Sequence, residues 1–111
     1  MAIKIYEGKY ANSSAQILLV ERGRLYEGKY ANSSAEIKHV DVKGLLFQSD
    51  KVYKGKYANS SDQIMTIQGA KVYKGKYANS SDQIALIEGD RLSDEEFEKV
   101  IYLLAQRNGL V

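Results

Sequence analysis

The residues with capacity for chemistry recur as one set, Lys-Tyr-Ala-Asn-Ser-Ser, at 9–14, 29–34, 56–61 and 76–81. Its polar members are Asn12, Ser13 and Ser14; Asn32, Ser33 and Ser34; Asn59, Ser60 and Ser61; and Asn79, Ser80 and Ser81. These are the candidate ligand loops. Amide and hydroxyl groups both donate and accept hydrogen bonds, and beside a Tyr ring they suit a glycan, with four copies adding avidity. The Tyr rings and neighbouring lysines also suit single-stranded nucleic acid, by base stacking and phosphate neutralisation. Against nucleic acid stand the alternation of Lys with Tyr, which assigns them to opposite faces of a strand, and a net charge of only +2. The plainer reading, which the sequence favours, is a turn whose Asn, Asp and Ser side chains bond their own backbone. The same tripeptides fit the N-glycosylation pattern. Residues 1–8 carry no apolar core of a signal peptide, so no secretion signal and a cytoplasmic location are expected.

Other chemistries find less material. The one histidine, His39, has no evident partner for nucleophilic catalysis. Asp62 and Asp82 stand singly among serines, unlike the alternating acids of a calcium loop. The Gly-Lys pairs lack the earlier Gly and following Ser or Thr of a phosphate-binding loop. No catalytic, metal or cofactor site is therefore expected, and the protein reads as not an enzyme. Without cysteine, disulfides and thiolate ligands are excluded. No apolar run has the length of a membrane span, so no membrane partner is expected.

These loops must be held by the units that contain them. The chain has 111 residues, 44% hydrophobic and 27% charged, which fits one globular domain. Tyr6, Tyr26, Tyr53 and Tyr73 open equivalent units at spacings of 20, 27 and 20 residues, so the middle interval carries about seven extra. Residues 51–64 and 71–84 are identical. The units fall at about 3–22, 23–42, 51–70 and 71–90, with a link at 43–50.

Each unit reads as two strands. In the first, 71–77, Tyr73, Gly75 and Tyr77 share a face. The second runs over about 83–88. A two-residue turn at Gly69-Ala70 opposes Gln68 to Lys71, Ile67 to Val72, Thr66 to Tyr73 and Ile64 to Gly75. The same register opposes Leu19 to Tyr26 and Ile17 to Gly28. One face then forms a Tyr/Ile core, and the reverse is Lys-rich away from the turns. At 93–108 the pattern becomes helical. Ser93-Asp-Glu-Glu96 is a capping box, Phe97, Val100, Ile101 and Leu104 form an apolar stripe, and Asn108-Gly109 is a stop on which Leu110 folds back.

The pattern Tyr-x-Gly, then Ser-Ser-Asp-x-Ile, closed by Leu-Ser-x-Glu-Glu-Phe, resembles a group of short tandem-repeat proteins of bacteria over nearly the whole chain. The resemblance implies a repeat fold and no particular activity. Ala15 and Ala35 replace the Asp of 62 and 82, so a carboxylate is not required in every unit.

The expected fold is mainly β: four two-stranded repeats in an antiparallel meander, arranged as two four-stranded halves packed together, with one C-terminal helix. A β-solenoid capped by the helix is the alternative. The expected function is a structural or protein-interaction module, self-associating as a homodimer through a sheet edge or the helix. A repeat binder of glycan or single-stranded nucleic acid is the alternative.

Overall fold

The structure, a computed structural model, describes residues 2–89 and 91–111. Asp90, at the end of the fourth expected unit, lies outside the described residues. Those residues form nine strands and one helix: β1 (Ala2–Glu7), β2 (Gln16–Glu21), β3 (Arg24–Glu27), β4 (Glu36–Ile37), β5 (Leu45–Gln48), β6 (Lys51–Lys54), β7 (Gln63–Gln68), β8 (Lys71–Lys74), β9 (Gln83–Glu88) and α1 (Asp94–Arg107). The strands make a single antiparallel sheet in the order β4-β3-β2-β1-β9-β8-β7-β6-β5. The meander and terminal helix are as expected. The two halves, however, join edge to edge through β1 and β9 instead of packing as separate layers. Antiparallel neighbours throughout exclude the solenoid.

The hairpin register is the expected one. Thr66 opposes Tyr73, Ile67 opposes Val72 and Gln68 opposes Lys71, while Leu19 opposes Tyr26. Two differences follow from the strand ends. The first strands stop at Lys54 and Lys74, before the glycine, so Tyr77 is not on the sheet. Ile64 falls in a register shift between β6 and β7, where one strand carries an extra residue. Ile17, Ile64 and Ile84 consequently pack against the main core instead of forming a Tyr/Ile face.

The main core is therefore the face expected to be Lys-rich. Ile5, Val20, Leu25, Val52, Met65, Val72 and Ala85 meet Val100, Ile101, Leu104 and Ala105 of α1, all buried. Each fully buried aliphatic side chain contributes about 1.5–3 kcal/mol, which fixes α1 on this face. Tyr6, Tyr26, Tyr53, Tyr73 and Leu19 are buried on the other face. The helix ends are as read: Ser93 Oγ accepts from the Glu96 N–H at 3.2 Å, and Glu96 Oε1 accepts from the Ser93 N–H at 2.9 Å. At the other end, the Leu110 N–H donates to Ala105 O at 2.8 Å.

The sheet must curl. β4 and β5 are its opposite edges, yet only residues 38–44 join them. A flat nine-stranded sheet would separate its edges by about 38 Å, and the joining segment reaches at most about 28 Å. β1 occupies the place of a fifth first strand. It pairs Lys4 with Glu88, Ile5 with Ile87, Tyr6 with Leu86 and Glu7 with Ala85, the register that β8 adopts on β7. The same hydrogen bond recurs, from the Gly8 N–H to Ile84 O (2.9 Å) and from the Gly75 N–H to Ile64 O (2.7 Å). Where β9 leaves this joint, Gly89 has φ +129°, and a Cβ there would lie 2.7 Å from Ala2 O. The approach admits only glycine.

The ring opens elsewhere. β2, β7 and β9 are each six residues long. Their counterpart is split into two residues of β4, paired with β3, and four of β5, paired with β6. The extra residues of the 27-residue interval lie in this split. They include His39, which is exposed and outside any strand. α1 touches both sides of the seam. Phe97 meets Phe47 of β5 edge-on, with centroids 6.4 Å apart, and Leu103 and Leu104 line a cavity with Ile37 of β4.

Candidate binding rim

The four Lys-Tyr-Ala-Asn-Ser-Ser loops connect β1 to β2, β3 to β4, β6 to β7 and β8 to β9. In an antiparallel meander all four connections fall at one end of the sheet. The tight turns, at 22–23, 49–50 and 69–70, fall at the other. The sheet order then ranks the loops along the rim as second, first, fourth and third. Neighbouring loops are two strands apart along the curled sheet.

Each loop is shaped by its backbone. The chain leaves the strand at Gly8, Gly28, Gly55 or Gly75, with φ from +86° to +104°. That conformation costs glycine little and turns the next two residues off the sheet. Lys and Tyr therefore point outward together instead of alternating between faces. Tyr10, Tyr30, Tyr57 and Tyr77 are 69%, 68%, 70% and 68% exposed. The Asn that follows is extended, with φ near −87° and ψ near 134° at Asn12. Ser-Ser and the next residue make a 3-10 turn. It is closed by main chain alone: the N–H groups of Ala15, Ala35, Asp62 and Asp82 donate to the Asn carbonyls, each at 2.9 Å.

This corrects the expected turn chemistry. Among the described residues, none of the four Asn side chains caps its turn. Asn59 Nδ2 makes one exposed contact, 3.4 Å from Asp62 Oδ2. All twelve candidate Asn and Ser residues are exposed. The structure thus brings the four sets onto one rim with their polar groups unspent on the fold. The Tyr rings expected beside these loops share the rim, but off the sheet, where the sequence reading left Tyr77 on a strand. The glycine two positions before each of them was the available signal.

Charge along the rim is mixed. Glu7 and Lys9 offset one another, as do Glu27 and Lys29, while the other two loops carry Lys54, Lys56 and Asp62, and Lys74, Lys76 and Asp82. The C-terminal end of α1 reaches the same rim, where Arg107 Nε lies 3.1 Å from Glu7 Oε2. A cavity of about 300 Å³ opens there among Ile17, Leu18, Ile37 and Leu103. A second, of about 570 Å³, lies at the tight-turn end among Phe47, Ile87, Leu92 and Phe97. Beneath the rim, the Tyr6 hydroxyl donates to Glu88 Oε1 at 3.1 Å. Burial first, and then that bond and the Glu88 charge, hold the Tyr6 phenol above its ordinary pKa. Among the described residues there is no cluster of three or more His, Cys, Asp or Glu suited to a metal ion. Among the described residues no helix is long and apolar enough to cross a membrane. No family model, no curated protein and no solved structure matches the chain.

Proposed function

We propose that the protein is a non-enzymatic binding module whose working surface is the four-loop rim and whose ligand is a chain polymer with a repeating unit. The observation that carries this reading is that four equal Tyr-Ala-Asn-Ser-Ser sets stand on one rim, with exposed rings and Asn side chains that do not cap their turns. Side chains that neither pack nor cap contribute little to stability, so a ligand is a reason for them that folding does not supply. Repetition at a fixed interval adds avidity for a ligand that repeats too. Self-association, the leading expectation from sequence, draws less support from the geometry. The sheet edges are β4, of two residues, and β5, of four, both beside α1 at the seam.

The test is retention of the folded protein on immobilised cellulose, chitin and single-stranded DNA, compared with the variant Tyr10→Ala, Tyr30→Ala, Tyr57→Ala, Tyr77→Ala. Retention of the parent and passage of an equally folded variant support the reading. Equal retention of both, or passage of the parent through every matrix, overturns it.

A further inference from the structure

We infer that the cavity at the tight-turn end of the sheet is a second ligand site, independent of the rim, and that it takes a small organic cation with an aromatic body, of the arylethylamine kind. Its volume is about 570 Å³, within the range of about 300–1,000 Å³ of small-molecule sites. Phe47 of β5 and Ile87 of β9 come from the face of the sheet that carries α1, Leu92 from the segment before the helix, and Phe97 from the start of the helix. All four are half-buried. Val100, Ile101 and Leu104, about one and two turns further along α1, are wholly enclosed. The helix therefore covers the sheet along its later turns and leaves an apolar floor uncovered at its start. Two aromatic rings of that floor, 6.4 Å apart and edge-on, suit an aromatic ligand.

The charge of the ligand follows from the charged groups that line the cavity, Arg91, Asp94 and Glu98: one cation against two carboxylates. Asp94 and Glu98 are four residues apart, which makes them neighbours on one side of α1. Glu95 and Lys99 have the same spacing and form an ion pair at 3.1 Å. Like charges at that spacing cost a helix about what an ion pair contributes. Among the described residues neither the Asp94 nor the Glu98 carboxylate has an ion-pair or hydrogen-bond partner. Nor is the pair needed at the positive end of the helix, where Glu96 Oε1 already accepts from the Ser93 N–H at 2.9 Å. A cation held in the cavity turns this repulsion into attraction, and the faces of the Phe rings attract it as well.

The chain has nine Tyr and no Trp, so the emission of an indole ligand is read free of any indole in the protein. The experiment titrates the whole chain into tryptamine, its neutral analogue tryptophol and indole-3-acetate, and follows that emission. Tryptamine emission should move to shorter wavelength and saturate at one ligand per chain, with an affinity above that of indole-3-acetate by roughly tenfold or more. The double variant Asp94→Asn, Glu98→Gln alters exposed positions. It should lose roughly 2–30-fold in tryptamine affinity, the equivalent of two exposed ion pairs, and bind tryptophol as the parent does. Circular dichroism checks its fold. Should it unfold, Glu98→Gln alone, beyond the capping box, carries the same comparison with a smaller loss. No saturable binding of tryptamine, indole-3-acetate or tryptophol binding as tightly as tryptamine, or an unchanged tryptamine affinity in the folded variant overturns the inference. The four-Tyr rim variant should bind tryptamine as the parent does. Loss of binding there would place the indole on the exposed tyrosines, which overturns this second site and leaves the rim reading standing.

Discussion

β1 and β9 come from opposite ends of the chain and pair over four residues, whereas β4 and β5 are separated by residues 38–44 and do not pair. Sequence distance is a poor guide to which joint forms. What the closed joint has is register: β1 presents Ile5 and Tyr6 to β9 as Val72 and Tyr73 are presented to β7. The open joint has two fragments of one strand, each with a partner on only one side. The contrast also explains where the helix fits. A closed eight-stranded barrel has an interior just wide enough for its own side chains, and a helix with side chains is about 10–12 Å across. The extra residues hold the ring open, and α1 fills the space.

The largest effect should come from removing that difference. Deleting residues 38–44 fuses Glu36-Ile37 to Leu45-Leu46-Phe47-Gln48, a six-residue strand patterned like Gln63–Gln68. The ring should close and expel α1. Amide hydrogen exchange over 94–107 should then lose its protection while the β7 and β8 amides keep theirs. Protection of α1 equal to that of the parent would show that the helix does not depend on the open seam.

The two joints should also differ in what a single side chain is worth. Ile5 is fully buried in the closed joint, and Phe47 is partly buried at the seam. Ile5→Ala should cost about 2–5 kcal/mol. Phe47→Ala should cost less than the ~3–5 kcal/mol of a fully buried Phe, since the ring already meets solvent in the 570 Å³ cavity. Urea midpoints of the two variants check the order, and a larger loss at Phe47 would reverse the comparison.

A finer probe of the closed joint is Tyr6, whose hydroxyl donates to Glu88 across it. The folded-state pKa is raised by burial, the hydrogen bond and the Glu88 charge. The folded protein therefore holds this proton more tightly than the unfolded chain. The contribution is fully present below the ordinary Tyr value of about 10 and is lost as pH rises through the higher folded value. Tyr6→Phe removes that contribution. Between pH 9 and 11 the parent should lose stability more steeply than the variant, as followed by urea midpoints. Parallel slopes would mean that Tyr6 titrates alike in both states.

The hairpin register and the helix were readable from residue types. Gly69-Ala70 between two apolar runs admits one pairing, and Ser93, Glu96, Asn108 and Gly109 mark helix ends by mechanisms local to the backbone. The core face was not readable. The first strands carry Val52 and Tyr53, or Val72 and Tyr73, on successive positions, so a period of two offers an apolar residue to each side. Only the docking of α1 decides between them. Nor does a period of two reveal that Gly75 has φ +88° and ends the strand, which is why Tyr77 was assigned to the sheet. The candidate loops were found by repetition, but their chemistry was misassigned. Asn and Ser bond their own backbone often enough to suggest it here, whereas in these turns the main chain closes the ring and leaves the side chains outside.

That last point separates the joints from the rim and gives the smallest expected effect. Replacing an Asn that caps a helical turn by Ala costs about 1 kcal/mol. Asn12, Asn32, Asn59 and Asn79 make no capping bond, and their extended backbone is open to alanine without strain. Each Asn→Ala should therefore change stability by no more than about 0.5 kcal/mol, with Asn59 at the upper end because of its contact with Asp62. The four together should unfold near the parent midpoint. A summed loss of about 4 kcal/mol would instead mean that the amides cap their turns in solution. In that case the rim, like the joints, would be built for folding, and the argument that its side chains are reserved for a ligand would fail.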